Sequence, residues 1–181
     1  MKFKECKLSE LGEIVGGATP STKNPNNYGG EISWITPKDL SAHKERYIYE
    51  GERNITEEGY KSSSTKILPK GSILFTSRAP IGYVAIAGKE LCTNQGFKSI
   101  VPNENTDYRF LYYLLLSNKD YIESLGSGTT FKEVSGTVMK NVTVKVPQEK
   151  SDQEKIGKIL FLIDDKIELN NQTNDNLLNV A

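Results

Sequence analysis

The stretch Ser151-Asp-Gln-Glu-Lys-Ile-Gly-Lys-Ile-Leu-Phe-Leu-Ile-Asp-Asp-Lys-Ile-Glu-Leu-Asn170 lies near the end of the 181-residue chain. Residues suited to a coiled-coil seam recur alternately four and three positions apart, at Ile156, Leu160, Ile163, Ile167, Asn170, Asn174 and Leu177. This pattern is narrower than the apolar stripe of a globular helix. It predicts a long helix, with an N-cap at Ser151 or Asp152, that extends outward to a partner. The alternative is a helix folded back onto its own domain.

Two of these seam positions are asparagines. Asparagine in a seam lowers stability but fixes the register of the helices or their number. The terminal helix is therefore predicted to have a defined partner.

The residues before this helix are typical of an irregular, β-rich domain. Gly, Pro, Asn, Ser and Thr separate short apolar runs over residues 1–105. Strands are predicted at 72–76, 82–87, 97–101 and 142–146. A helix is predicted from an N-cap at Asp107 to about Leu125, where Gly126 ends it.

The fold class that follows is α+β. We predict an irregular β-rich domain with a few helices over residues 1–148, followed by a coiled-coil-type helix over residues 149–181.

The charges balance overall but are unevenly distributed. The 23 basic and 23 acidic residues argue against a protein that coats nucleic acid by charge alone. Residues 61–100 nevertheless contain six Lys or Arg against one Glu, whereas residues 151–181 are net acidic. This distribution fits either ordinary surface charge or a basic face that meets phosphates, with the acidic helix turned away.

The sequence contains no recognisable catalytic or metal-binding constellation. Phosphate-binding, dinucleotide-binding and nucleophile-elbow motifs are missing, as is the Asn/Asp-Pro-Pro-aromatic motif of amino-methyltransferases. His43 is the one histidine, and Cys6 and Cys92 are far apart, so a Cys/His zinc site or a catalytic triad is nearly excluded. We predict a non-catalytic protein without a bound metal. The two separated cysteines, with no signal peptide or membrane-spanning run, predict a cytoplasmic location.

A series of short motifs resembles the specificity (S) subunits of type I restriction–modification systems. In chain order they are Lys7-Leu-Ser-Glu-Leu-Gly-Glu-Ile-Val15, Gly17-Ala-Thr-Pro-Ser21, Tyr28-Gly-Gly-Glu-Ile-Ser-Trp-Ile-Thr-Pro-Lys-Asp-Leu40, Ile55-Thr-Glu-Glu-Gly59, Leu68-Pro-Lys-Gly-Ser-Ile-Leu74, Ser77-Arg-Ala-Pro-Ile-Gly82, Thr93-Asn-Gln-Gly-Phe97, Phe110-Leu-Tyr-Tyr113, Gly126-Ser-Gly-Thr-Thr130, Val146-Pro147 and Gln153-Glu-Lys-Ile156. Each motif is short, but their order and spacing together make the match specific across nearly the whole chain.

The resemblance implies a division of labour along the chain. Residues 1–148 would form one target recognition domain that binds double-stranded DNA. Residues 149–181 would form the helical region that spaces two such domains and docks the methyltransferase (M) subunit. The restriction (R) subunit would join through that complex. Cofactors are expected only in the partner subunits, which would use S-adenosylmethionine, ATP and magnesium.

The family's subunits usually carry two recognition domains and two helices, whereas this sequence has one of each. The resemblance therefore implies either a half-subunit that forms a homodimer or the first half of a longer chain. A homodimer would read a bipartite, inverted-repeat site. A second hypothesis is a truncated scaffold that docks partners through its C-terminal helix without reading DNA.

Candidate DNA contacts come from basic and polar loops, because these side chains bind phosphates and base edges. The predicted phosphate or base contacts are Lys61, Lys66, Arg78 and Lys98. The predicted base readers are Asn26, Asn27, Tyr28, Ser62, Ser63 and Ser64. A further DNA-facing loop contains Ser127, Thr129, Thr130 and Lys132. Trp34 and Phe97 are predicted to be core residues.

Overall fold

A computed structural model describes residues 1–78, 80–128 and 132–178, with the side chains of 175–178 left out. The strands are β1 (Phe3–Lys7), β2 (Gly12–Gly16), β3 (Tyr28–Ile32), β4 (Trp34–Ile35), β5 (Tyr47–Ile48), β6 (Ile73–Ser77), β7 (Ile81–Ala87), β8 (Cys92–Thr93), β9 (Lys98–Pro102) and β10 (Thr143–Pro147). The helices are α1 (Pro37–Ser41), α2 (Glu57–Lys61), α3 (Tyr108–Ser124), α4 (Gly136–Asn141) and α5 (Lys150–Leu178). The predicted α+β class is confirmed.

A five-stranded sheet with the order β2-β9-β6-β7-β5 forms the centre of the domain. Its first four strands are antiparallel neighbours, and β5 pairs with β7 in parallel. Two smaller pairs, β1 with β10 and β4 with β8, flank it. Each of the four predicted strands begins and ends within one residue of its predicted position.

The sheet is covered on both faces. One apolar cluster packs Ile73, Phe75 and Ile100 against α3 and α4, and a second contains Leu74 and Phe97. All five residues of β6 are buried, because its side chains point alternately into the two clusters. Trp34 and Phe97 are buried, which confirms their predicted place in the core.

The predicted cap of α3 is confirmed. Asp107 precedes the helix, and its side chain accepts a hydrogen bond from the amide of Phe110 at 2.9 Å. Such a cap satisfies a backbone donor that the first helical turn leaves free. The helix ends at Ser124, and Leu125 follows it as the C-cap.

The start of α5 differs from the prediction. The carbonyl of Glu149 accepts hydrogen bonds from the amides of Asp152 and Gln153, at 3.1 and 3.3 Å. The helix consequently begins at Lys150, and the predicted caps Ser151 and Asp152 lie in its first turn.

The course of α5 combines the two alternatives. Its first half folds back on the domain, where Gln153 and Gly157 are buried and Phe161 is half-buried. Residues 169–174 are exposed. The domain-facing residues lie about 100° around the helix from the predicted seam. The periodicity of apolar residues does not reveal this second face, because the face includes glycine, glutamine and aspartate, which are not apolar.

None of the helices in the described residues is long and apolar enough to cross a membrane.

Candidate nucleic-acid interface

Four strand ends lie at the same end of the central sheet. β2 and β6 finish there at Gly16 and Ser77, and β7 and β9 begin there at Ile81 and Lys98. Antiparallel pairing produces this arrangement, because the last residue of one strand lies beside the first residue of its neighbour. The sheet therefore gathers residues 17–28, Arg78, Pro80 and residues 93–97 into one surface, here called the loop end.

The 21–28 loop is held by Asn27, which is buried. Its side-chain amide donates a hydrogen bond to the carbonyl of Ser21 at 2.8 Å, and its side-chain oxygen accepts one from the hydroxyl of Ser62 at 3.4 Å. The side chain of Asn27 is thus engaged inside the protein, whereas the neighbouring Asn26 is exposed. Asn26 stays the better candidate for reading a base.

Tyr28 is half-buried and supports the same loop. Its hydroxyl donates to the carbonyl of Pro20 at 2.7 Å, and its ring packs edge-to-face on Trp34 with centroids 5.9 Å apart. The guanidinium of Arg53 lies over the ring at 3.8 Å. Arg53 is exposed and therefore adds a cation beside the predicted readers.

The helix α2 packs against this loop, and the hydroxyl of its N-cap residue Thr56 donates to the carbonyl of Asn26 at 2.7 Å. The one hydroxyl hydrogen of Ser62 is shared between the side-chain oxygen of Asn27 and the carbonyl of Gly59, at 3.4 and 3.0 Å, and the hydroxyl of Ser63 donates to the carbonyl of Tyr60 at 3.4 Å. Both hydroxyls retain oxygen lone pairs for a further donor, such as a base amine.

Three further candidates beside these serines are exposed. Ser64 has a solvent-facing position. Lys61 lies 3.7 Å from Glu57 and Lys66 lies 3.6 Å from Glu13, in ion pairs whose members are all exposed. Exposed pairs of this kind contribute little to stability, so phosphates can compete for both lysines.

A second group of candidates surrounds Glu133. Its carboxylate lies 3.6 Å from Nη1 of Arg78 and 3.3 Å from Nζ of Lys98. Its backbone exchanges two hydrogen bonds with Ser127, at 3.0 and 2.9 Å. Lys132 precedes it and is exposed. Thr129 and Thr130 lie outside the described residues.

The segment 93–97 lies between these two groups. The carbonyl of Thr93 accepts hydrogen bonds from the amide of Ala18 and the hydroxyl of Thr65, each at 3.0 Å, and the carbonyl of Gly96 accepts one from the amide of Ser77 at 2.7 Å. A Cβ atom at Gly17 would lie 2.2 Å from the Thr93 carbonyl oxygen, so this approach requires glycine. The loop end is consequently a connected surface.

The predicted partner helix presents a separate apolar surface. Ile163 and Ile167 are half exposed, Asn170 and Asn174 are exposed, and Leu177 belongs to the helix but its side chain lies outside the described ones. Other exposed apolar residues extend this surface: Ile159, Leu162 and Leu169. The remaining seam residues, Ile156 and Leu160, line an open apolar groove of about 510 Å³ between α3 and α5.

The domain-facing side of α5 is held by Arg46, which lies between α1 and β5 in the sequence. Its guanidinium forms ion pairs with Asp165 and, at 3.1 Å, with Glu168; it also donates to the Phe161 carbonyl at 3.2 Å. Burial by itself lowers the pKa of Arg46. The hydrogen bonds and charges of Glu168 and Asp165 raise this pKa above its ordinary value, so the guanidinium stays charged.

Aromatic residues complete this contact. The ring of Phe161 packs edge-to-face on Tyr47, Tyr108, Tyr112 and Tyr113, with centroids 5.7–6.4 Å apart. The hydroxyl of Tyr113 donates to Oδ2 of Asp164 at 2.6 Å. Burial and then this hydrogen bond raise the pKa of Tyr113. The first half of α5 is therefore anchored by both packing and charge.

Comparison with known families identifies this architecture. A family model described as the type I restriction modification DNA specificity domain matches residues 1–179. The chain belongs to this family. It is therefore related to the specificity components of these systems, which are non-catalytic.

Two curated relatives illustrate the relationship. The MjaIX specificity subunit of Methanocaldococcus jannaschii is 46% identical over 177 residues, covering 97% of this chain and 41% of that subunit. The HindI specificity subunit of Haemophilus influenzae is 34% identical over 125 residues, covering 68% of this chain and 27% of that subunit. The chain thus spans less than half the length of these relatives.

Solved structures share the fold. The HsdS subunit from Thermoanaerobacter tengcongensis superposes with a TM-score of 0.70 at 18% identity, over 92% of this chain and 38% of that one. A chain from a study of complex assembly and conformational transition in the type I R-M system superposes with a TM-score of 0.73 at 20% identity, over 92% and 39%.

Sequence reasoning missed Arg53 and Arg46 in this specificity-family chain. Both lie within residues 39–58, where acidic residues outnumber basic ones. A search for basic segments therefore passes over them. Only the folded chain places Arg53 over Tyr28 and Arg46 against α5.

Proposed function

We propose that the chain recognises a specific DNA sequence and directs partner methyltransferase and restriction subunits to it. The observation that carries this proposal is the convergence of exposed polar and basic side chains at the loop end, in a chain of the specificity family. Asn26 lies in the 17–28 segment of the loop end, where Arg53 stacks over the Tyr28 ring, and Arg78 pairs with Glu133, which follows the exposed Lys132. Cations would hold the phosphates while amides and hydroxyls read base edges.

The pairing of Arg78 and Lys98 with Glu133 supports a specific rather than an indiscriminate surface. One carboxylate between two cations reduces the local positive charge and lowers non-specific attraction to DNA. It also holds both cations in defined positions. A phosphate at this place would replace the carboxylate as their partner.

The proposed assembly is a homodimer of half-subunits that reads a bipartite site. The exposed apolar face of α5 would be buried against a second copy, because burial of such a face against a partner helix stabilises both helices. A twofold axis would place two identical recognition domains at a fixed separation. Methylation and cleavage would come from partner subunits using S-adenosylmethionine, ATP and magnesium, in the cytoplasm.

The test is to co-express the chain with its cognate methyltransferase subunit and sequence the host DNA for modified bases. A bipartite inverted repeat is the expected result. An asymmetric motif would contradict the homodimer and require a second, different recognition domain. If a purified complex modifies no motif, the DNA-reading role is wrong, and the scaffold hypothesis takes its place.

A second experiment tests the loop end directly. We expect Arg78→Ala to weaken DNA binding by the complex and to reduce the slope of log affinity against log salt by about 1. The matched control is Lys89→Ala, because Lys89 belongs to the same basic segment but follows β7 at the opposite end of the sheet, paired with Glu50 at 2.7 Å. Equal losses in the two variants, measured by fluorescence anisotropy, would contradict the placement of DNA at the loop end.

A further inference from the structure

The helix α5 leaves the recognition domain at Glu168. Within the part of the chain that the structure describes, Asp165 and Glu168 are the last α5 residues with ion pairs to the domain. Residues 169–174 are exposed, and Asn171 and Gln172 border an open cleft of about 530 Å³ beside residues 44–49. Arg46 therefore holds the helix at the point from which its free end projects.

The geometry of Arg46 fixes the helix in more than one direction. Nε and Nη2 donate to the two carboxylate oxygens of Glu168, at 3.2 and 3.1 Å, and Nη2 also contacts Asp165. Nη1 donates to the carbonyl of Phe161, and the guanidinium carbon lies 4.6 Å from the centre of the Phe161 ring. A planar fork that engages three residues along two turns resists both rotation and tilt of the helix.

The Arg46 side chain is nearly buried, at 9% exposure, whereas its two carboxylate partners are 57% and 43% exposed. The domain thus contributes a buried, immobile cation, and the helix contributes two carboxylates from its solvent-facing margin. Removal of the arginine would leave these carboxylates in contact with water, so the domain core can stay folded without it.

We propose that Arg46 is a positioning residue for DNA specificity: it sets the direction of α5 and thereby the number of base pairs between the two half-sites. This inference rests on the proposed function, since it requires two recognition domains joined through their helices. Arg46 would determine the number of base pairs between the half-sites, here called the gap length, and not the identity of any base.

A small tilt of α5 at its anchor would displace its far end by about one base-pair step. Without Arg46, the last anchor is the hydrogen bond between Tyr113 and Asp164. The 14 residues that follow Asp164, up to Leu178, then form a free arm of about 21 Å. A tilt of about 10° moves its end by about 4 Å, which is comparable to the rise of about 3.4 Å per base pair.

The first measurement follows the helix itself. Nitroxide labels on cysteines introduced at Lys4 and Thr173, both exposed, report the distance between the domain and the free arm. Burial raises the pKa of the Cys92 thiol to about 11 and also raises that of Cys6, so the native thiols react poorly. Labelled chain is diluted with unlabelled chain, and the distance distribution is measured by double electron–electron resonance.

The second measurement is the gap length in the modified DNA of cells that co-express each variant with the methyltransferase subunit. We expect the original chain and the control Lys89→Ala to give one narrow distance and one gap. Arg46→Ala should at least double the width of the distance distribution and add gaps one base pair shorter and longer, with unchanged half-site bases. Arg46→Lys, which keeps the charge but loses the fork, should fall between them.

Several outcomes would overturn the inference. An unchanged distance distribution in Arg46→Ala refutes the anchoring role. A broader distribution with a single unchanged gap refutes the link to spacing. Loss of all modification by a folded Arg46→Ala chain contradicts the expectation that half-site reading survives. If the original chain modifies no motif, the proposed function fails and the spacing role fails with it, while the distance measurement still decides whether Arg46 fixes the helix.

Discussion

Gly157 lies where α5 crosses the N-terminus of α3, and its replacement by alanine tests this crossing. A Cβ atom at residue 157 would lie 2.6 Å from Oδ1 of Asp107, 2.8 Å from the amide nitrogen of Phe110 and 3.0 Å from Cβ of Arg109. The first two atoms are the partners of the α3 cap hydrogen bond. The added methyl group would therefore meet the cap itself.

The expected cost combines three contributions. Overpacking a tightly packed contact costs about 1–3 kcal/mol, because neither the cap nor the helix backbone moves freely. Loss of the Asp107 cap bond costs about 1 kcal/mol. Alanine in a helix interior is favoured over glycine by about 1 kcal/mol, which offsets part of this. Gly157→Ala should consequently lower the free energy of unfolding by about 1–3 kcal/mol.

Urea unfolding followed by circular dichroism measures this difference. The matched control is Lys158→Ala, at the next position of the same helix, where the side chain is exposed and the change should stay within about 0.5 kcal/mol. Thermal unfolding should show the same order, with a shift of about 2–4 °C for each kcal/mol. A Gly157→Ala chain as stable as the original, or more stable, would show that the crossing is looser than described.

Three further predictions concern the core, the reader loop and the helix face. Burial, followed by the charge of a nearby aspartate, raises the pKa of Tyr112 to about 12. The pKa of this tyrosine in the unfolded chain is near 10, so its contribution to the free energy of unfolding is complete below about pH 10 and falls by about 2 kcal/mol by pH 12. A Tyr112→Phe chain that loses the same stability over this pH range would contradict the prediction. Asn27→Ala should destabilise the protein by about 1–3 kcal/mol because it removes buried hydrogen bonds, whereas Asn26→Ala should leave urea unfolding unchanged but weaken DNA binding. The double variant Ile163→Asp, Ile167→Asp should halve the mass in light scattering or abolish partner docking while circular dichroism stays native; an unchanged mass with docking intact would refute the seam.

Short-range features of the sequence predicted four of the ten strands in the described residues and the two long helices, α3 and α5. The four strands were predicted within one residue, and the Asp107 cap marked the beginning of α3 correctly. These features depend on neighbouring residues: alternation along a strand, a capping side chain and a proline that ends a strand. The start of α5 was harder to predict from the sequence, because the first hydrogen bonds of the helix go to the backbone carbonyl of Glu149 and not to a capping side chain.

The candidate site could be predicted only in part. Residue type and local charge identified Lys61, Arg78 and Lys98 as possible DNA contacts, but not that Glu133 pairs with the last two. Asn27 has an amide side chain of the kind that reads bases, but it lies buried beneath its own loop. Sequence patterns report what a side chain can bind, whereas the fold decides what it already binds.

By itself, the sequence determined the α+β class, four of the described strands, the long helices α3 and α5, and membership of the specificity family. Tertiary structure alone decided which loops share one end of the sheet, and that α5 has a second face held by Arg46 and Phe161. The physical reason is the range of the interactions. Turns, caps and periodicity act over a few residues, whereas the loop end and the Arg46 contact join residues far apart in the chain, which come together only when the sheet and helices pack.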